Sequence, residues 1–231
     1  MAHRLAARAA GKSVARSVEI ADADRLDVET KAISSIETLL ADRLDVVAGA
    51  VDAVYAGGVD NPSKANVRKI TGALDDVLIE SIRIYRTHVE GVAAVAIEAV
   101  AYQHQLVEQT LSLRYNGTAQ AAVTTVDGLL PDMLDDAMAR YRRVTDAVAD
   151  QFTDQLDAAI RYAILSEDTL EHFRRRILSP GPARLPGTSG RGIWWRPLTP
   201  MSRSIREGAT SIAAGLSSLV TASMNKEIRK R

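Results

Sequence analysis

Cysteine is absent from the 231-residue chain, which excludes a disulfide framework, a thiolate metal site and a cysteine nucleophile. Aromatic residues make up only 4%, too few for a sheet protein built on aromatic and β-branched strands. Glycine and proline are rare outside a few clusters, leaving long stretches without a helix breaker. The four histidines, His3, His88, His104 and His172, stand in no HExxH or ExxH spacing, so no metal ligand set is expected. His104 and Glu108 share a helix face with Glu98 nearby, as polar surface residues also do. No GxSxG setting presents a serine. The stretch Gly187-Thr-Ser-Gly-Arg-Gly192 lacks the Gly-Lys-Ser/Thr end of a phosphate loop. The neighbouring pairs Asp75–Asp76 and Asp135–Asp136 diverge on a helix rather than converge. No enzyme and no cofactor is expected.

A long hydrophobic run is also missing. Gly208 to Asn225 is uncharged, but six of its residues are Ser or Thr and five are large apolar ones, too polar for a membrane span. The residues after Met1 form no sustained apolar segment, so a secretory leader is not expected. The arginine-rich, acid-free start shares its composition with transit peptides.

What is present is helical periodicity. Leu26, Ile33, Ile36, Leu40, Leu44, Val47, Val51 and Val54 recur mostly at spacings of three or four, one apolar stripe with Asp and Arg on the other faces. Gly57–Gly58 ends that helix, and Asn61–Pro62 reads as an N-cap followed by proline at the first helical position. A second stripe runs through Val67, Ile70, Leu74, Leu78, Ile82, Tyr85, Val89 and Val92 toward Leu111, closed by Asn116–Gly117. A short segment near 119–126 leads to Gly128. Pro131 is expected to open a third long helix with Leu134, Met138, Tyr141, Val148, Phe152, Leu156 and Ile160 inward. Ser166 reads as the next N-cap, and the short helix it starts carries Arg174, Arg175 and Arg176 at its end. Residues 179–200 collect five of the seven prolines and both tryptophans, a long loop with a short strand or hairpin expected at Ile193–Leu198. Thr199–Pro200 caps a last helix through Ile205, Ile212, Leu216, Leu219 and Met224, whose Ala209, Ala213, Ala214 and Gly215 admit a close neighbour.

The expected fold is therefore all-α: several long amphipathic helices packed as an elongated bundle, with a Pro/Gly/Trp loop before the last helix. Four segments follow: a basic N-terminal helix or arm (1–20), an acidic helical bundle (21–178), the loop (179–200) and a C-terminal helix with a basic tail (201–231).

The formal net charge of zero conceals a strong segregation. Residues 1–16 carry Arg4, Arg8, Lys12 and Arg16 and no acid; residues 17–171 hold 13 basic and 27 acidic side chains; residues 172–231 hold 12 basic residues against Glu207 and Glu227. Phosphate binding needs multivalent positive charge of this kind. The candidate contacts to nucleic acid or an acidic partner are Arg4, Arg8, Lys12, Arg16, Arg174, Arg175, Arg176, Arg184, Arg191, Arg196, Lys226, Arg229, Lys230 and Arg231. A solvated basic surface, or ends folded back on the acidic middle, is the alternative. Trp194 and Trp195 fit either a protein interface or a clasp that pins the loop onto the chain's own helices.

The order of features from about residue 128 onward resembles the phage minor head proteins related to the F protein of phage Mu. The matching stretches are Gly128-Leu-Leu-Pro-Asp-Met-Leu134, Leu156-Asp-Ala-Ala-Ile-Arg-Tyr-Ala-Ile164, Ser166-Glu-Asp-Thr169, Glu171-His-Phe-Arg-Arg-Arg-Ile177, and a helix of small residues from Ser202 to Asn225. They cover roughly 100 residues. Many family members continue into a small polar domain, of which nothing is implied here. The resemblance implies a structural virion protein inside the head near the portal, in the host cytoplasm during assembly, acting in head assembly, genome packaging or ejection. Its implied partners are the portal or other capsid proteins and double-stranded DNA, bound without sequence preference, with a homo-oligomer also among them. The residues themselves leave open a helical scaffold or tail-assembly protein that binds an acidic partner, and a membrane-surface protein using the last helix and the tryptophans.

Overall fold

The computed structural model describes residues 2–58, 62–111, 118–181 and 190–230. The chain is all-α, and the described residues form six α-helices: α1 (Ala2–Asp42), α2 (Leu44–Ala56), α3 (Lys64–Leu111), α4 (Thr118–Ser166), α5 (Leu170–Leu178) and α6 (Leu198–Lys230). Four of them exceed 30 residues, lengths that only tertiary burial of an apolar stripe sustains. The expected stripes are largely those that are buried: Ile36, Leu40, Val47, Val51 and Val54; Ile70, Leu74, Leu78, Tyr85, Val89 and Val92; Met138, Tyr141, Val148, Phe152, Leu156 and Ile160; Ile205, Ile212, Leu216 and Met224. Ile33, Leu44, Val67, Ile82, Leu134 and Leu219 are half-buried, and Leu26 faces solvent.

Several boundaries differ from the sequence expectation. Residues 2–20 are continuous with the rest of α1 rather than a separate element. The first stripe is cut at Arg43 into α1 and α2, yet Val47 N–H still donates to Arg43 O at 3.1 Å. Leu40 and Val47, seven residues apart, therefore stay on one buried face. Asn61, Asn116 and Gly117 lie outside the described residues; Ser63 Oγ accepts the Asn66 N–H at the start of α3. Pro131 does not open a helix, because α4 begins at Thr118 and runs through it. A proline inside a helix removes one N–H and costs about 3 kcal/mol. Burial of Ala122 and Val126 upstream, and of Ala137 and Met138 downstream, holds both sides helical. Ser166 ends α4 instead of capping α5. Glu167 turns left-handed at φ 48°, and Asp168 N–H reaches back to Ala163 O at 3.0 Å, a Schellman-type closure. Thr169 is the cap, its hydroxyl accepting the His172 N–H. The expected strand at 193–198 is a single 3-10 turn, Ile193–Trp195, followed directly by α6.

The chain divides into two compact units. The first comprises Met1–Ala32, Tyr85–Ala139 and Ile205–Arg231; the second comprises Ile33–Ile84 and Arg140–Ser204. The boundaries fall within α1, α3, α4 and α6 and do not follow the segments 1–20, 21–178 and 201–231 read from charge.

In the first unit, helices meet through small residues. A Cβ built at Gly208 would lie 2.1 Å from the Tyr85 hydroxyl, and one at Gly215 would lie 2.7 Å from Met133 Cε. Ala209 is fully buried. In the second unit the loop after α5 is clasped by directional bonds. Gly192 N–H donates to Ser179 O at 2.8 Å, and a Cβ at Gly192 would sit 2.6 Å from Ile177 O. Only glycine lets that backbone approach the end of α5 so closely.

Candidate polyanion-binding surface

Trp194 and Trp195 are buried, not displayed. The Trp194 indole N–H donates to Leu40 O at 2.9 Å and its ring meets Phe152 edge-on. Trp195 N–H donates to Leu178 O at 2.8 Å. Leu40 and Leu178 lie in the last turns of α1 and α5, where carbonyls lack an intrahelical partner. The two indoles satisfy those carbonyls and pin the loop, with both rings buried.

All three arginines of the triplet are paired with acids, and Arg176 alone is buried. Arg174 pairs with Asp52 of α2, Nε to Oδ1 at 2.6 Å, and that hydrogen bond raises its pKa further. Arg175 pairs with Glu171 one turn earlier. Arg176 is 4% exposed. Its Nη2 lies 2.7 Å from Oδ2 of Asp168, whose side chain is 8% exposed, and its guanidinium carbon is 4.2 Å from the Tyr162 ring centre. A buried guanidinium needs such partners, and Arg176 is not available to a ligand. Arg196 donates to Gln155 Oε1 at 2.8 Å and to Arg191 O at 3.3 Å. Arg191 is exposed. Arg184 and Arg231, and the side chains of Arg4 and Arg8, lie outside the described residues.

The remaining cations are those at the two chain ends. Lys12, Arg16, Lys226, Arg229 and Lys230 are exposed. Among the described residues, Lys12, Arg16, Lys226 and Arg229 form no ion pair. They are brought together by helix direction. Within the first unit Arg25 Nη1 lies 3.5 Å from Thr210 Oγ1, and three residues on in α1 the backbone of Val28 shares the buried His88 ring with that of Ile205. As α1 numbering rises, α6 numbering falls: the two helices are antiparallel. At about 1.5 Å per residue, that register places the start of α1 level with the end of α6. Residues 1–16 and 208–231 together hold eight Lys and Arg against Glu227 alone. Arg229 and Lys230 also offset the negative C-terminal end of the α6 dipole.

His88 is 3% exposed, beside Tyr85, and neither ring nitrogen makes a hydrogen bond of normal geometry. Burial lowers its pKa, opposed by the nearby backbone of Val28 and Ile205.

Two features of the second unit are not anticipated by the segment-wise charge reading. Lys64, Arg68 and Arg161 surround a cleft of about 420 Å³ with Asp157. Arg140 and Arg143 flank a second depression of about 440 Å³. Both sets sit in the stretch richest in acid, so a count over long segments hides them; sorting each helix by face separates them.

Among the described residues no helix is long and apolar enough to cross a membrane, and no three His, Cys, Asp or Glu side chains group as metal ligands. No protein-family model matches the chain, and comparison with curated proteins and with solved structures likewise finds no match.

Proposed function

We propose that this is a non-catalytic structural protein whose basic end in the first unit holds double-stranded DNA without sequence preference. The observation that carries the reading is the antiparallel pairing of α1 and α6, which gathers unpaired Lys12, Arg16, Lys226 and Arg229 at one end. Cations without carboxylate partners exchange counterions for phosphates at no cost in internal ion pairs. The sequence resemblance to the minor head proteins supplies the setting: a virion protein inside the head, beside the portal and the packaged genome.

The reading is tested by DNA binding over a salt series. Wild-type protein is expected to bind any duplex, with affinity falling steeply as salt rises. The quadruple variant K12E/R16E/K226E/R229E is expected to flatten the salt slope by about 3 to 4. R174A/R175A, whose parent side chains are held in intramolecular pairs, is expected to change it little. Salt-insensitive or absent binding sinks the DNA reading. Absence of the protein from purified particles, by mass spectrometry, sinks the virion setting.

A further inference from the structure

Along α4 in the second unit, two depressions join into one groove. The larger, about 440 Å³, is lined by Arg140, Arg143, Val144, Ala147, Val148, Gln151 and Pro200. The smaller, about 70 Å³, continues past Phe152 to Gln155, walled by Ile193, Arg196 and Pro197. They share Val148, Gln151 and Pro200. From Arg140 to Gln155 the groove follows α4 for about 22 Å at 1.5 Å per residue.

Its chemistry sets it apart. Residues 17–171 carry 27 acids, yet no carboxylate lines the groove, and three arginines do. Arg140 and Arg143 stand one turn apart, exposed, with no ion pair among the described residues. Elsewhere in the second unit Arg43, Arg83, Arg174, Arg175 and Arg176 have carboxylate partners, whereas Arg68, Arg142, Arg161, Arg191 and Arg203 have none among the described residues. The floor between the arginines is apolar: Val144, Ala147, Val148 and Pro200.

We infer that this groove docks an acidic amphipathic helix of a partner protein. The apolar floor at Val144, Ala147, Val148 and Pro200 accepts the apolar face of a helix. Carboxylates flanking that face would meet Arg140 and Arg143, and charge complementarity of this kind selects and orients a partner. A phosphate backbone fits less well. It has no use for an apolar floor. The inference does not depend on DNA binding by the first unit.

The test is a selection from a displayed library of helical peptides of about 18 residues, long enough to hold helix. Their apolar face is fixed as Leu and Ala, and flanking positions are randomised among Glu, Gln and Lys. Intact protein is expected to enrich Glu at the flanks. Ala147→Trp fills the floor without altering charge, and R140E/R143E reverses the rim; these sites are exposed, and unchanged circular dichroism checks the fold. Each variant is expected to weaken a selected peptide at least tenfold in anisotropy titrations, while K12E/R16E leaves it unchanged. Any of four results overturns the proposal: no enrichment, enrichment of Lys or Gln, affinity insensitive to Ala147→Trp, or groove-dependent binding of a DNA duplex in place of peptide.

Discussion

The two units are held together by different means. In the second, helices and loop are joined by directional bonds between distant residues: Arg43 with Asp76, Arg174 with Asp52, Tyr55 Oη with Asp168 O, and both indole N–H groups with helix-end carbonyls. In the first, the ion pairs Arg25–Glu29 and Arg86–Glu90 lie within single helices, and helices meet through Gly208 on Tyr85, Gly215 on Met133 and Gly91 on Val28. The second unit contains a long connection whose backbone needs partners; Arg196 donates to Arg191 O, and the two indoles tie the connection to helix ends. The first consists of long helices with their backbone bonds already made, so close packing suffices, and Lys12, Arg16, Lys226 and Arg229 form no ion pair among the described residues. Arg43, Arg174 and Arg176 are thus fold elements of the second unit, whereas Lys12, Arg16, Lys226 and Arg229 are surface in the first.

This contrast is tested most strongly in the second unit. Arg176→Ala leaves Asp168 buried without its partner, an expected loss of about 3–5 kcal/mol. Trp194→Ala empties a fully buried site and frees Leu40 O, expected to cost about 3–5 kcal/mol. Chemical denaturation measures both, and a loss below 1 kcal/mol for either (roughly the worth of an ordinary surface pair) would break the comparison.

In the first unit, Gly208→Ala forces Tyr85 to move. Overpacking of about 1–3 kcal/mol opposes a propensity gain of roughly 1 kcal/mol, so a net destabilisation is expected. In a double-mutant cycle Tyr85→Phe should relieve part of it, since the hydroxyl is the nearest atom; strict additivity would deny the contact.

A smaller, pH-dependent effect is expected at His88. Its folded pKa is lowered by burial, so below the ordinary value of 6.5 the unfolded chain takes up the proton first. The stability that neutral His88 contributes is full above that value and is lost as pH falls through the lowered one. The melting temperature of His88→Leu should therefore fall less than that of wild type on acidification; parallel curves would contradict this.

The smallest effect is expected from R174A. Its pair with Asp52 is solvent-exposed, so the melting temperature should hardly change. A large drop would mean that exposed pairs also hold the second unit together.

Legibility followed the range of the interactions. The stripes around Ile36, Leu74, Met138 and Ile212 were readable because helical periodicity is local, and Gly57–Gly58 marked a true end. Pro131 misled because burial on both sides outweighs a local breaker. Ser166 misled because Thr169 offers the same cap chemistry three residues later, and Glu167 takes a left-handed turn that the sequence does not advertise with glycine. The strand expected at 193–198 failed because tryptophan and isoleucine there serve burial against helices, not sheet pairing. The candidate site was half readable. The end cations stood out by sequence position, whereas Arg174, Arg175 and Arg176 looked the same on paper and are engaged by acids.

From the sequence alone came the all-α class, the apolar faces, the proline-rich connection and the segregation of charge, all properties of neighbours within a few turns. Tertiary structure alone decided which charges are free. Arg174 meets a carboxylate 122 residues away, and Trp194 meets a carbonyl 154 residues away. No spacing rule encodes such partners, because a side chain's Coulomb and hydrogen-bond partners are set by proximity in space, which chain order does not specify.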